Sequence, residues 1–295
     1  MNQLMIELFL KYLSFEKRYS SHTVTAYRKD LDQYISFLKA EFEIDNPADA
    51  KHTHIRGWIV ELMDQGVSPK SVNRKIATLK SLYKYLLGRE YLDSSPVAQI
   101  KPLKTEKELP SFVKEDEMIT LLDQVEFTSD FQGCRDRLLL ELFYATGIRL
   151  AELDGLKETD VNFYEKTIRV LGKRNKERII PIGNSLIALV KEYINYKRIE
   201  GMNSAFLLLT DTGDPLYPMF VYRKVKKYLG QITTLSKKSP HVLRHTFATH
   251  LLNKGADLNA VKDLLGHTSL AATQVYTHNS IEKLKAAFDQ AHPKA

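Results

Sequence analysis

The sequence predicts a mainly α fold with a small β-sheet, divided into an N-terminal helical domain over residues 1–105 and a mixed α/β domain over residues 106–295. Three observations predict it. Apolar residues recur at helical spacing through most of the first hundred positions. The stretch Lys101-Pro-Leu-Lys-Thr-Glu-Lys-Glu-Leu-Pro110 then interrupts the pattern with two prolines, five charges and little apolar content, the composition of a linker. Beyond it, two β-branched runs around a polar, glycine-led turn stand among further helical segments. At 295 residues and 33.9 kDa the chain is long enough for two domains that each bury a core.

Taken in order, residues 3–18 place Leu4, Leu8, Tyr12 and Phe15 at helical spacing. Ser20-Ser21-His22-Thr23 forms a capping cluster before a helix carrying Tyr27, Leu31, Tyr34 and Leu38, which Asp45-Asn46-Pro47 breaks. A third helix runs from about His54 to Asp64 and stops at Gly66. Ser68-Pro69 opens a fourth, with Val72, Ile76, Leu79, Leu82, Tyr83 and Leu86 on its buried side and Gly88 at its end. Its other face offers Lys70, Ser71, Asn73, Arg74, Lys75 and Lys80, which read either as a face that follows phosphates or as an ordinary solvated helix surface.

In the second domain a helix from about Asp136 to Ala145 meets Thr146-Gly147, a left-handed helix stop. Ile148 to Leu153 starts the next helix, so Arg149 falls directly after the turn, where the backbone holds it at a helix start. A surface salt bridge to Glu152 accounts for it equally well. Thr167–Leu171 and Arg178–Ile182 flank the turn Gly172–Glu177 and predict a hairpin with Lys173 at the turn's start. Basic turn residues are usually only solvated, and Lys173 by itself carries no more than that. Helices follow over about 185–199 and 218–229, with the apolar stretch Phe206–Leu209 between them.

Ser239-Pro240 opens a further helix: serine can cap, and proline suits the first turn. Leu243, Phe247 and Leu251 recur on its core side, while His241 and Arg244, three apart, project together from the first turn. Imidazole, guanidinium and a helix N-terminus suit an anionic ester such as phosphate. The same residues are equally compatible with a solvated helix face. Gly255 caps this helix, Ala260–Leu265 forms a short one closed by Gly266-His267, and Leu270–Thr277 forms another with Tyr276 at its end. Residues 281–289 make a last helix with Ile281, Leu284 and Phe288 on one side, able to pack on its own domain or on a neighbour.

The net charge of +7 fits a polyanionic partner without requiring one. Residues 1–110 carry 17 Lys+Arg against 14 Asp+Glu, leaving 26 against 22 for the rest, so the excess is spread over both domains. No apolar run approaches membrane-spanning length and the N-terminus lacks signal-peptide order, so the chain reads as cytoplasmic, with no membrane partner. The single cysteine, Cys134, excludes an intramolecular disulfide and a cysteine-based zinc site. There is no phosphate-binding loop, dinucleotide fingerprint, H-E-x-x-H or evident carboxylate cluster for two-metal chemistry. His241 and His245 are spaced for zinc, yet no third ligand is obvious. The expected cofactor set is therefore empty, for metals as for nucleotides.

A basic set remains: Arg149, Lys173, His241, Arg244 and His267, ahead of Tyr276. Arginines and histidines can hold a phosphodiester's non-bridging oxygens, a lysine can protonate a leaving oxygen, and a tyrosine can attack. Composition alone does not single out Tyr276 among 15 tyrosines. The motifs carry more. Ala145-Thr-Gly-Ile-Arg-Leu-Ala-Glu-Leu153, Gly172-Lys173, His241-Val-Leu-Arg-His-Thr-Phe-Ala-Thr-His250, Leu265-Gly-His-Thr-Ser-Leu270 and Gln274-Val-Tyr-Thr-His278 resemble the tyrosine recombinases in order and spacing. The resemblance is to the Xer branch (XerC and XerD) in particular and covers essentially the whole chain. Arg174, Ala151 and Ala272 depart from the residues common there, all at non-catalytic positions.

The resemblance implies a helical core-binding, SAM-like domain that contacts DNA and a catalytic domain of the tyrosine recombinase fold. Arg149 and Arg244 would clamp the scissile phosphate, Lys173 would act as leaving-group acid, and His241 and His267 would assist proton transfer. Tyr276 would form a 3′-phosphotyrosyl link that a second strand's 5′-hydroxyl reseals without ATP or metal. It further implies double-stranded DNA as partner, a Holliday junction intermediate and a recombinase tetramer with a paralogous Xer subunit as one arrangement, and it leaves open whether an FtsK-type DNA translocase acts as activator. The role implied is resolution of chromosome dimers at a dif-like site during segregation and cell division. A mobile-element integrase is the alternative within the class, a type IB topoisomerase shares the nucleophile chemistry, and a catalytically silent DNA-binding regulator is the alternative outside it.

Overall fold

The computed structural model describes residues 2–106, 111–172 and 176–266. The chain divides into two compact units, Met1–Glu108 and Leu109–Ala295, each with its own hydrophobic core. Helices dominate both, and a three-stranded sheet lies in the second.

The first unit contains α1 (Asn2–Lys11), which runs into a π-helical turn at Tyr12–Glu16, then α2 (Ser21–Phe42), α3 (His52–Asp64) and α4 (Pro69–Gly88). Ser20 caps α2 by accepting from the Thr23 amide at 3.3 Å. That helix ends at a left-handed Glu43, ahead of Asp45-Asn46-Pro47, where Asn46 instead caps a short 3-10 turn. All six apolar positions expected of α4 are buried.

Two features of this unit differ from the sequence-based expectation. Leu4, Leu8 and Phe15 are exposed, at 62%, 39% and 78%, because α1 turns a wider stripe, Met5, Ile6, Phe9, Leu10 and Leu13, to the core. Burying that stripe removes more apolar surface from water. The basic face of α4 is only partly solvated. Arg74 pairs with the buried Asp30, Lys75 Nζ reaches the same carboxylate at 3.0 Å, and Thr78 Oγ1 donates to it at 2.9 Å. Asn73 holds the Leu103 backbone through both amide atoms, at 2.9 and 2.8 Å. These residues fasten α4 to α2 and to the chain leaving the unit, while Lys70 and Lys80 remain exposed.

The second unit contains α5 (Glu115–Ile119), α6 (Phe131–Thr146), α7 (Leu150–Asp154), strands β1 (Val161–Asn162), β2 (Thr167–Leu171) and β3 (Glu177–Pro181), then α8 (Asn184–Ile199), α9 (Pro218–Ile232), α10 (Pro240–Asn253) and α11 (Leu258–Leu265). Helix α6 is buried almost all round. It starts at Phe131, before the position its apolar run suggests, because Asp130 accepts from the Gly133 amide at 2.8 Å. Its first turns bury a salt bridge instead of an apolar stripe. Arg135 grips Asp136 through Nε and Nη2 at 3.0 and 2.8 Å, and Asp136 also accepts from Lys224 and Tyr228 of α9 at 2.7 and 3.0 Å.

The strands pair antiparallel in the order β1-β2-β3, with Val170 opposite Arg178 and Ile168 opposite Ile180. The hairpin matches the sequence pattern. Strand β1 is too short to leave one. Among the described residues no helix is long and apolar enough to cross a membrane.

Asp154 ends α7 with Oδ1 buried and without a hydrogen-bond partner, and burial pushes its pKa up to about 6. A folded-state pKa above the ordinary 3.8 means that its charge opposes folding once pH rises through that window. Asp154→Asn is therefore expected to stabilise the protein at pH 7 by about 1 kcal/mol, allowing for the water that reaches this half-buried group. The gain should shrink as pH falls towards 4. Denaturant melts of both proteins at the two pH values check this.

Candidate active site

The site is built on the turn between α6 and α7. Gly147 takes the left-handed conformation that stops α6, with φ 58°. Thr146 stiffens the turn by donating its hydroxyl to the Leu142 carbonyl and accepting the Ile148 amide at 3.2 Å. Arg149 then occupies the N-cap of α7, and buried Glu152 accepts from its amide at 2.8 Å and from Nη1 at 2.7 Å. The helix-start reading of Arg149 holds; the ion pair to Glu152 forms too, but with a buried carboxylate rather than on the surface.

A second arginine completes the Glu152 site. Arg178 lies in the buried register of β3 and forks onto both Glu152 oxygens at 2.8 Å each. Its Nε donates to the Leu264 carbonyl at 2.8 Å, Arg244 Nη2 donates to Leu265 at 2.6 Å, and Arg149 Nη2 donates to Gly266 at 3.1 Å. Three consecutive carbonyls at the end of α11 are thus each held by a different arginine, where the negative end of the helix dipole favours cations. Arg244 also donates through Nη1 to the Gly147 carbonyl, which links α10, the α6–α7 turn and α11.

The charges do not balance. Among the described residues, three guanidinium groups meet one carboxylate here. Burial works to raise the Glu152 pKa, but the hydrogen bonds and charge of Arg178, with those of Arg149, hold it below the ordinary carboxylate range. Arg244 is pushed down to about 9, first by burial and then by Arg149 and Arg178. A guanidinium stays charged at neutral pH, so burial and two like charges make this a costly place for the Arg244 cation.

His241 is exposed on the first turn of α10, one turn before Arg244. Ser239 occupies the N-cap position, but its side chain makes no capping bond; Pro240 takes the first helical position as expected. His241 and half-buried His245 open onto a groove of about 580 Å³ that Lys226, Lys237 and Lys238 also line. Among the described residues no three His, Cys, Asp or Glu side chains come together as a metal site.

His250, further along α10, is buried for a structural purpose. Its Nδ1 meets Tyr144 Oη and its Nε2 meets the Val113 carbonyl, each at 3.0 Å, while the Val113 amide donates to Thr246 Oγ1. The chain entering this unit is thereby fastened to the helix that carries His241 and Arg244.

Of the six candidate residues, Arg149 and Arg244 are brought together on the α11 carbonyls, and His241 shares a helix with Arg244. Lys173, His267 and Tyr276 lie outside the described residues. Sequence reasoning missed Arg178 and the holding role of Glu152. A signal for Arg178 existed, since it shares the inward register with Ile180, where a lone arginine needs a partner.

The phage integrase family model matches residues 111–283, and that family's N-terminal SAM-like domain matches residues 6–90. The chain belongs to the phage integrase family. It is 38% identical to tyrosine recombinase XerC of Chlorobaculum parvum, over 98% of this chain and 94% of that one. It is also 38% identical to tyrosine recombinase XerD of Staphylococcus haemolyticus, over 99% of both. The fold agrees with the XerH site-specific recombinase bound to a palindromic difH substrate, with a TM-score of 0.72 at 22% identity over 96% of this chain and 94% of that one. The Tn1549 transposon integrase, in complex with circular intermediate DNA, gives 0.69 at 19% identity, over 94% and 97%. As a tyrosine recombinase of the phage integrase family, the protein is a DNA strand-exchange enzyme with a SAM-like helical domain ahead of its catalytic domain.

Proposed function

We propose that the arginine socket holds the scissile phosphodiester of a double-stranded recombination site while Tyr276 attacks it. The carrying observation is the excess of two positive charges among Arg149, Arg178, Arg244 and Glu152, with Arg244 held charged against burial. A phosphodiester brings one negative charge, and its transition state concentrates more on the non-bridging oxygens, so fixed donors there favour the transition state over the ground state. The Tyr276 phenol oxygen bonds to phosphorus and its proton passes to a histidine, His241 or His267. The phosphorus–O5′ bond breaks, and Lys173 delivers the proton that the leaving oxygen needs. The 3′-phosphotyrosyl ester keeps the bond's free energy, so a 5′-hydroxyl from the other duplex reseals it, and two such exchanges pass through a Holliday junction.

On this reading residues 1–105 form the core-binding domain and residues 106–295 the catalytic domain, and each contacts the duplex. Four protomers, of this chain or of this chain with a paralogous Xer recombinase, assemble on two sites. The XerC and XerD relatives support a housekeeping role, resolving chromosome dimers at a dif-like site with an FtsK-type translocase as activator.

The test uses purified full-length protein, a chelator, and nicked suicide duplexes made from chromosomal fragments. The expected product is a covalent adduct that survives denaturation, with the 3′-phosphate mapped by peptide mass spectrometry to Tyr276. Capture at one chromosomal locus supports the dif-like role, and capture at mobile-element ends supports an integrase. Tight binding with no adduct on a duplex that supports exchange with a partner recombinase supports the silent regulator instead.

A further inference from the structure

We propose that Arg178 is a positioning residue for strand cleavage: it fixes Glu152 and the end of α11 so that Arg149 and Arg244 can give their donors to the scissile phosphate. The proposal rests on the recombinase reading above, and it concerns a residue whose side chain is buried behind Glu152 and the end of α11.

The donors of the three arginines are committed differently. Arg178 has Nε on Leu264 and one terminal nitrogen on each Glu152 oxygen, and its side chain is 4% exposed. It offers nothing towards solvent, so it cannot serve as a phosphate ligand. The Arg149 side chain is 35% exposed and Arg244 is only partly buried. Each of these spends one terminal nitrogen on an α11 carbonyl, at Gly266 and Leu265, contacts that a phosphate oxygen can replace. An incoming phosphate therefore exchanges with two of the three arginine–carbonyl bonds and leaves the third in place.

Arg178 also sits where three pieces of the site converge. A Cβ on Gly172 would meet the Lys176 carbonyl at 3.2 Å, Glu152 Oε1 at 3.5 Å and Arg178 Nη1 at 3.8 Å. A Cβ on Gly266 would meet Arg178 Cδ at 3.2 Å and Arg149 Nη1 at 3.6 Å. The residues after Gly172 and Gly266 are Lys173 and His267. Both glycine segments thus pack against the same guanidinium that holds Glu152. Among the described residues, removing it leaves Glu152 with Arg149 as its guanidinium partner. The expected consequence is that Arg149 turns inward onto the carboxylate and away from the phosphate.

The experiment compares wild type, Arg178→Met and Arg178→Lys on one nicked suicide duplex that wild type cleaves, with either a phosphate or a methylphosphonate at the scissile position. The methylphosphonate replaces a charged non-bridging oxygen with methyl, so it needs less help from the arginines. On phosphate, Arg178→Met should slow adduct formation by about 100-fold, the usual scale for a misplaced reacting group. On methylphosphonate the loss should be about tenfold smaller. Arg178→Lys keeps the charge without the fork and should fall between, with DNA affinity unchanged in both variants. If Arg178→Met does not fold, the lysine variant carries the same comparison. Equal losses on the two substrates would mean general loosening, and a wild-type rate would mean no role; either overturns the proposal. Failure of wild type to form an adduct on any of the chromosomal duplexes from which that substrate is drawn would overturn the recombinase reading instead.

Discussion

Arg244→Met is expected to lower the rate of covalent adduct formation by about 1,000-fold while leaving the protein folded and able to bind DNA. Loss of one preorganised donor to a developing oxyanion costs about 100- to 1,000-fold. Arg244 does more than donate, because it also holds the Gly147 and Leu265 carbonyls. Without it, the turn that carries Arg149 and the end of α11 both lose a shared tether. Stability should change little, since two opposed effects offset each other. The variant forfeits those two hydrogen bonds, but it also removes a partly buried cation whose pKa is pushed down to about 9 by burial and by two neighbouring arginines. Arg244→Lys should cost about 100-fold. It keeps the charge, yet an ammonium cannot hold the Gly147 carbonyl and a phosphate in one plane as a guanidinium does. Single-turnover cleavage of a suicide duplex, with thermal melts and gel shifts on the same samples, checks all three statements. An Arg244→Met protein that cleaves within tenfold of wild type would remove Arg244 from the chemistry.

The local rules carried well wherever one segment decides its own structure. The six buried positions of α4, the hairpin and the left-handed stop at Gly147 were all legible, because each follows from a spacing or a backbone conformation. The face chosen by α1 was not. Leu4 and Leu8 have the same period as Met5 and Phe9, and only the packing partners on α2 and α4 decide between the stripes. The start of α6 was obscured for a related reason, since Arg135 and Asp136 look like surface residues until Lys224 and Tyr228 are brought to them. The Glu152–Arg178 pair lies 26 residues apart, and Arg178 reaches Leu264 across 86. A buried charge is stable only with its partner present, and that partner is a property of the fold rather than of the motif. Motif order pointed to Arg149 and Arg244 through resemblance. That they meet on consecutive carbonyls of α11, with Arg178 beside them, required the structure.

Gly147 joins stability to the site, and Gly147→Ala is expected to reduce both. Its φ of 58° lies in the left-handed region, where an alanine costs about 1–2 kcal/mol. The added Cβ would also meet Phe247 Cδ1 at 2.5 Å and Leu265 Cδ2 at 2.9 Å, both from buried side chains. Overpacking of this kind costs about 1–3 kcal/mol, so the total is about 2–5 kcal/mol. For a unit of this size that corresponds to a fall in Tm on the order of 5–20 °C. Gly201 supplies the control: its φ is 67°, but nothing lies within 4 Å of where an added methyl group would stand, so Gly201→Ala should incur the backbone cost alone. The difference between the two melts isolates the packing component. Activity separates them further. Phe247 and Leu265 lie on the two helix segments that Arg244 connects to the Gly147 carbonyl, so relief of the clash moves the arginine's anchors. Gly147→Ala should therefore lose cleavage well below its melting range, at temperatures where Gly201→Ala retains the wild-type rate. Equal melts and equal rates for the two variants would show that the turn tolerates a methyl group and that the carbonyl of residue 147 is not a critical anchor.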